Sequence, residues 1–433
     1  MELAARKGMV YPGTDPGRTR LGRRGEECQP RVRTRTRAVR GGGVSGRERW
    51  RDWIPRPQGR PLRQVTRFPQ RPGLWDLAAS PEVVPHWAAI LRGNLRYSLE
   101  RAAADGKEST PAAQRRVEAI LMGLFDDLER GVATATLRTI HEVTLVREAV
   151  LRAHALHDPY RAIKAREAER LLPQAAERLA RAWVWGGQAA DSEPLAELLA
   201  GLLAGNLFDL GSALTQEAFR SGCMDHESAA ERYRRDARRF LAQLEPSALA
   251  RLCAQPRALE QPPEGRVLLF ADNAGADYLL GLLPAALFWA RRWEVVVVLN
   301  ALPVASDIAF AESGPLFEAL ARTPGSPLPQ AIDAGRLRCV PSGTGSPGID
   351  LRYVGAALDR AAEGCAWLLL DGQGRGIETN WPTRFRCPAL RCAVVKDRLV
   401  AHAIGAAAPE PVLRWDEAWP GWDAEAHAGK GEA

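Results

Sequence analysis

Five short, uninterrupted apolar runs between residues 266 and 395 constrain this chain more than any other feature. Arg266-Val-Leu-Leu-Phe-Ala271 and Glu294-Val-Val-Val-Val-Leu299 are the clearest, and Leu337–Val340, Trp367–Leu370 and Cys392–Val395 repeat the form. Helical patterns separate them. Runs this short and this rich in β-branched and leucine residues predict strands buried on both faces, and strands that alternate with helices form a parallel, doubly wound sheet. That architecture also says where chemistry is to be sought, because ligands of open α/β sheets sit beyond the C-terminal ends of the strands.

Upstream the period changes. From Leu74 to Pro262 the apolar residues recur at helical spacing, as Trp87, Ile90, Leu91 and Leu95 do on one face. Further amphipathic stretches cover 113–132, 137–155, 161–183, 194–220 and 227–245, with Pro159, Pro173, Pro194 and Pro246 among them. The expected fold class is α+α/β: an all-helical domain over 74–262, then a doubly wound α/β domain over 263–405. Residues 406–433 read as a C-terminal tail rich in Pro, Trp and acidic residues.

Charge separates the first segment from the rest. The 433-residue chain has a net charge of +7, but residues 1–73 carry 19 basic and 6 acidic side chains. That segment is +13, which leaves −6 for residues 74–433. Its Arg31-Val-Arg-Thr-Arg-Thr-Arg37 run, Gly41-Gly-Gly43 and scattered prolines have almost no apolar periodicity. It reads as a disordered extension or as translated upstream sequence, with an RNA- or membrane-attracting arm as the alternative. No apolar run approaches the ~20 residues that span a bilayer, so no membrane is expected. The N-terminus lacks an apolar h-region, so a cleaved secretion signal is not expected either. Seven scattered cysteines with no C-x-x-C argue against a disulfide framework or a zinc site, and a reducing cytoplasm is the expected compartment.

The strand ends present the candidate chemistry. The first is followed by Asp272 and Asn273, the second by Asn300 and then Ser306-Asp307, the fourth by Asp371-Gly-Gln-Gly-Arg-Gly376, and the fifth by Lys396-Asp397. Asp and Asn oxygens without Cys or His suit a hard divalent ion such as Mg²⁺ or Mn²⁺. The same Asp272-Asn273 pair also fits a helix cap and turn. Gly372, Gly374 and Gly376 fit a phosphate cradle, with Arg375 and Lys396 as phosphate partners, and equally fit a tight turn. The second Asp of a haloacid-dehalogenase nucleophile motif is absent, since Ala274 stands there. His141, His154 and His157 form no constellation and read as surface or core residues, and no G-x-S-x-G is present.

These residues, in this order, resemble the metal-dependent damage-control phosphatases over about Leu74 to Gly405. The segments are Asp158-Pro-Tyr-Arg-Ala-Ile-Lys164, Leu203-Ala-Gly-Asn-Leu-Phe-Asp-Leu-Gly211, Phe270-Ala-Asp-Asn-Ala-Gly-Ala-Asp277, Asn300 to Asp307, and Asp371-Gly-Gln-Gly-Arg-Gly-Ile-Glu-Thr-Asn380. The chain looks nearest to the subgroup that holds the C-terminal 4′-phosphopantetheine phosphatase domain of the pantothenate kinase-like pseudokinase. The resemblance implies metal ligation by Asp272, Asn273 and Asp307. The subgroup's Glu-Gly-Met-Gly-Arg reads Asp371-Gly-Gln-Gly-Arg375 here, and the Asn of its Arg-Glu-Asn is Ala168.

The implied activity is a metal-dependent phosphomonoesterase of coenzyme A damage control. It would act on a small phosphorylated metabolite, with 4′-phosphopantetheine or its damaged forms as the implied substrate. Asp272 and Asp307 would be catalytic, and Mn²⁺ or Mg²⁺ the cofactor, with Co²⁺ or Ni²⁺ as substitutes. Asn206, Asp371, Gly372, Gly374, Arg375 and Lys396 would hold the substrate, the Asn206-Leu-Phe-Asp209 segment closing over it. Two rivals stand beside this reading. One is a non-catalytic nucleic-acid-associated protein guided by its Arg-rich arm, which the acidic body argues against. The other is a small-molecule methyltransferase, which needs no oxygen-ligand triad. Oligomeric state is not legible.

Overall fold

The apolar runs form the strands they predict. In a computed structural model that describes residues 48–66, 71–106, 109–187, 192–207, 209, 229–244 and 265–421, β1 is Arg266–Phe270, β2 Glu294–Leu299, β3 Leu337–Pro341, β4 Cys365–Asp371 and β5 Ala389–Val395. These five are parallel neighbours in the order β3-β2-β1-β4-β5. A sixth strand, β6 (Glu410–Asp416), pairs antiparallel with β5, Ala389 opposite Asp416 and Val395 opposite Glu410. The expected C-terminal tail therefore begins with a sheet strand, and only residues 422–433 of it lie outside the described residues.

Strand alternation sends each residue set to one helical layer. Val267 and Leu269 of β1, Val295 and Val297 of β2 and Leu369 of β4 pack with Leu171, Leu179, Leu199 and Leu203. Leu268, Phe270, Val296, Val298, Leu368 and Leu370 face the opposite layer, with Ile349, Leu351, Val354 and Leu358. Burial of both faces is why these strands read as continuous rather than alternating.

The helices are capped and striped as their sequences demand. Among them are α1 (Val84–Asp105), α2 (Pro111–Glu129), α3 (Ile140–Ala153), α4 (Arg161–Gly186), α5 (Ser192–Asn206) and α6 (Ala229–Gln243). Thr110 caps α2 by accepting from Ala113 N, and the stripe Val117, Ile120, Leu121, Leu124, Phe125 and Leu128 is buried. Thr139 caps α3 in the same way. No helix among the described residues is long and apolar enough to cross a membrane.

The helices pack closely on the α/β part: α4 and α5 lie directly on the sheet, and α1 to α3 share a core with Ala393, Val395 and Val400. Residues 48–66 of the expected extension also belong to this body. Trp50, Leu62 and Val65 are buried, Trp50 Nε1 donates to Asp127 at 2.8 Å, and Arg60 pairs with Val354. Of the rest of that extension, residues 1–47 and 67–70 lie outside the described residues. So do residues 208 and 210–228, among them Phe208 of the expected Asn206–Asp209 segment.

Candidate active site

The chain runs outward from β1 to β2 and β3, then returns to β4 on the other side of β1. That reversal opens a crevice at the C-terminal ends of β1 and β4. Both strands are followed by a π-helical turn, Asp277–Leu282 after β1 and Gln373–Glu378 after β4. Such turns recur at functional sites because the extra residue per turn re-aims side chains.

Asp272 and Asn273 leave the end of β1, and Asp307 comes from the loop after β2, with Asn273 and Asp307 paired through the backbone. Arg375, from the second π-turn, joins the two acids. Its Nη1 donates to Asp272 Oδ1, and its Nη2 to Asp307 Oδ2 at 2.8 Å. Asn300 Nδ2 also donates to Asp307 Oδ2, at 2.9 Å. Asn273 Nδ2 bridges Asp272 (2.8 Å) and Asp277 (3.0 Å), and its Oδ1 accepts from Ser306 Oγ at 2.7 Å. Asp272, Asn273, Asp307 and Arg375 are all buried.

Beneath this layer lie Asp277 and Asp371, both fully buried. Asp371 faces Asp277. Neither Asp371 oxygen nor Asp277 Oδ1 has a donor among the described residues. Burial, and then the neighbouring carboxylates Asp277 and Asp272, push Asp371 well above the ordinary carboxylate range. Burial raises Asp272 in the same way, against the pull of Arg375, and brings Asp307 to about 7. Four buried carboxyls thus have one guanidinium among them, Arg375, while the nearby Lys396 is paired with a fifth carboxylate, Asp209. That deficit of positive charge, and the all-oxygen donors at Asp272, Asn273 and Asp307, fit a hard divalent cation.

The site opens into a cavity of about 350 Å³. Its floor holds Asp272, Asn273, Asp307, Gly374 and Lys396, and its far wall is apolar, with Trp75, Trp87, Ile90 and Leu91. Lys396 Nζ pairs with Asp209 at 2.9 Å and donates to Asn206 O at 2.7 Å.

The expected substrate ligands divide on this geometry. Gly374 and Lys396 reach the cavity, whereas Asn206, Asp371, Gly372 and Arg375 lie behind its surface. Asn206, at the end of α5, spends its side chain on the fold. Its Nδ2 donates to Asp272 (3.1 Å) and Asp277 (3.3 Å), and its Oδ1 accepts from Val394 N (2.9 Å). Its amide holds the acids in place. Arg375 spends both terminal nitrogens on the carboxylates of Asp272 and Asp307. Gly372 serves a tight turn: its N–H donates to Cys392 O at 2.9 Å, and at φ +85° a Cβ would collide with the Asp272 carboxylate. A Cβ at Gly374 would meet Pro347 O. The glycines therefore admit close packing, and the cradle reading loses Gly372.

The family profile described as "Damage-control phosphatase ARMT1-like domain" matches residues 87–411, three quarters of the chain. This chain belongs to that family. The family member is 30% identical over 352 residues to a damage-control phosphatase of Arabidopsis thaliana, covering 76% of this chain and 87% of that protein. It is 30% identical over 350 residues to pantothenate kinase 2 of the same plant, covering 74% of this chain and 37% of that one. To a 4′-phosphopantetheine phosphatase of Mus musculus it is 26% identical over 391 residues, covering 77% of this chain and 46% of that one. The chain thus spans less than half the length of the latter two. The ARMT1-like match contains Asp272, Asn273, Asp307, Arg375 and Lys396.

Several cavity residues of this ARMT1-like protein went unmarked by sequence reasoning. His141 is one, buried with Ser346 Oγ at 3.1 Å from Nδ1, its pKa lowered to about 4 by burial. Arg147, Gln373 and Glu378 are others. Glu378 sits two residues past the last glycine of the loop, and the π-turn that swings it to the cavity has no sequence signal. Lys164 of the Asp158–Lys164 segment lies behind the site. It pairs with Asp158 (3.0 Å) and Glu312 (3.0 Å) and reaches Asp307 O (3.4 Å).

Proposed function

We propose that this chain is a divalent-metal-dependent phosphatase that hydrolyses a small phosphomonoester, with 4′-phosphopantetheine or its damaged forms as the substrate class. The observation that carries the reading is the buried Asp272–Asn273–Asp307 cluster at the switch point of the sheet, opening on a cavity lined by Lys396 and by the apolar side chains of Trp75, Trp87, Ile90 and Leu91. The name of the Mus musculus relative supports the substrate class, and the elongated, partly apolar character of that class suits a polar floor beside Trp75 and Trp87.

Asp272, Asn273 and Asp307 would hold the cation, Mn²⁺ or Mg²⁺, which when bound supplies Lewis-acid polarisation of a phosphoryl oxygen. The chain's own residues do the remainder. Lys396 neutralises charge on the phosphoryl oxygens, its pKa kept high by Asp209 and Asp272 in spite of burial. Asn206 and Asn273 fix the carboxylate orientations through their amides. The apolar wall keeps water away from the rest of the substrate.

Hydrolysis of 4′-phosphopantetheine and generic phosphoesters with Mn²⁺, Co²⁺, Ni²⁺ and Mg²⁺ tests the reading. Asp272→Ala is expected to lower turnover by on the order of 10²–10³-fold. Full activity in that variant refutes the metal assignment, and no turnover of any ester with any metal refutes the enzyme class.

A further inference from the structure

We propose that Glu378 is the general acid of this reaction, giving a proton to the leaving alkoxide oxygen of the phosphoester. The inference rests on the phosphatase reading above.

Elimination among the cavity carboxyls leads to it. Asp272 and Asp307 are tied to Arg375, and Asp209 is tied to Lys396. Asp397 caps the short helix Arg398–Ile404 through Leu399 N and Val400 N and pairs with His86 at 2.7 Å. Each of these four carboxyls is already engaged by a basic side chain or by backbone N–H groups. Glu378 instead meets a neutral amide: Gln373 Nε2 donates to its Oε1 at 2.6 Å. Gln373 Oε1 in turn accepts from Lys396 N at 2.7 Å, which anchors the amide and fixes the carboxyl at the cavity wall. Oε1 is thereby an acceptor, and the proton of the neutral acid belongs on Oε2.

The electrostatics agree with the geometry. The charged groups facing Glu378 are Asp397 and Asp209, which disfavour its anion, and Lys396, which favours it. Burial is the largest influence and, with the two aspartates, brings its pKa to about 7. An acid of that strength is half protonated near neutrality, the condition under which proton donation is most effective.

The step balances without a further reactant. A water oxygen forms the new bond to phosphorus as the phosphorus–alkoxide bond breaks. The alkoxide takes the proton of Glu378 and leaves as an alcohol. The surplus proton of the water passes to solvent, from which Glu378 is recharged.

The dependence on the leaving group provides the test. An alkoxide needs a proton to leave, whereas p-nitrophenolate does not. Wild type, Glu378→Gln and Glu378→Asp are assayed with Mn²⁺ from pH 5 to 9 on 4′-phosphopantetheine and on p-nitrophenyl phosphate. The expected result is a loss of about 10²-fold or more for Glu378→Gln on the alkyl ester. The same variant retains p-nitrophenyl phosphate turnover within a few-fold, which also reports that it is folded. Glu378→Asp recovers part of the alkyl-ester rate. The wild-type alkyl-ester rate falls as pH rises through about 7, and Glu378→Gln lacks that alkaline limb. Equal losses on both esters, or no loss on either, overturn the assignment. A wild type that hydrolyses neither ester removes the phosphatase reading, and the acid with it.

Discussion

Arg375 compensates two buried carboxylates with one guanidinium. Burial alone would lower its pKa, yet the charges of Asp307 and Asp272 raise it. Removing one partner of a buried ion pair leaves the other charge without compensation, at a cost of roughly 3–5 kcal/mol. Arg375→Gln is therefore expected to lower the denaturant midpoint of the metal-free protein by a corresponding amount. On the proposed function, saturating Mn²⁺ offsets part of that loss, because a cation bound only by the folded state adds to its stability. A midpoint unchanged from wild type in the absence of metal would show that the pair carries no net stability. The guanidinium holds the two acids in place before any substrate arrives, a different role from the phosphate contact that its position after a glycine loop suggests.

At the level of elements, the site depends on how closely α5 crosses the π-turn after β1. A Cβ at Gly205 would lie 2.6 Å from Asp277 Cα, so only a residue without one permits the approach. That approach delivers Asn206 to Asp272, Asp277 and Val394 N, linking one helix to β1 and β5 through a single amide. Gly205→Ala is expected to push α5 outward, to cost roughly 1–3 kcal/mol, and to lower phosphatase activity by displacing Asn206. Denaturation and turnover measured on one preparation check it, and wild-type values in both would contradict the crossing. The five parallel strands are legible in the sequence because burial on both faces leaves no polar interruption. β6 is not: it is half-buried, and Glu410, Pro411, Arg414 and Asp416 make it look like a tail. Asp272, Asn273 and Asp307 are legible because the rule of strand ends marks them. The bond from Arg375 to those acids, the burial of Asp371 against Asp277 and the exposure of Glu378 to the cavity are not, since each depends on distances between segments far apart in the chain. Residues 48–66 escape for another reason. Trp50, Leu62 and Val65 are isolated among arginines and prolines and have no period to betray them.

Those same residues bear on the molecule as a whole. Leu62 and Val65 are fully buried against the layer of Ile349, Leu351 and Val354, and burial of such side chains stabilises by roughly 1.5–3 kcal/mol each. A variant lacking residues 1–67 is expected to unfold at a clearly lower denaturant concentration than one lacking residues 1–47. Equal midpoints would show that this strap adds nothing to the body. The strand order has a further consequence, for association rather than catalysis. β3 and β6 are the outer strands of the sheet, and an outer strand offers a row of backbone donors and acceptors on which another chain can pair. Each of the two carries an arginine and a proline, Arg338 and Pro341 on β3, Pro411 and Arg414 on β6. Proline has no N–H to offer a neighbour, and a charged side chain resists being covered. Both rims of the sheet are thus built to refuse a seventh strand, which protects a buried, strand-rich core from edge-to-edge aggregation.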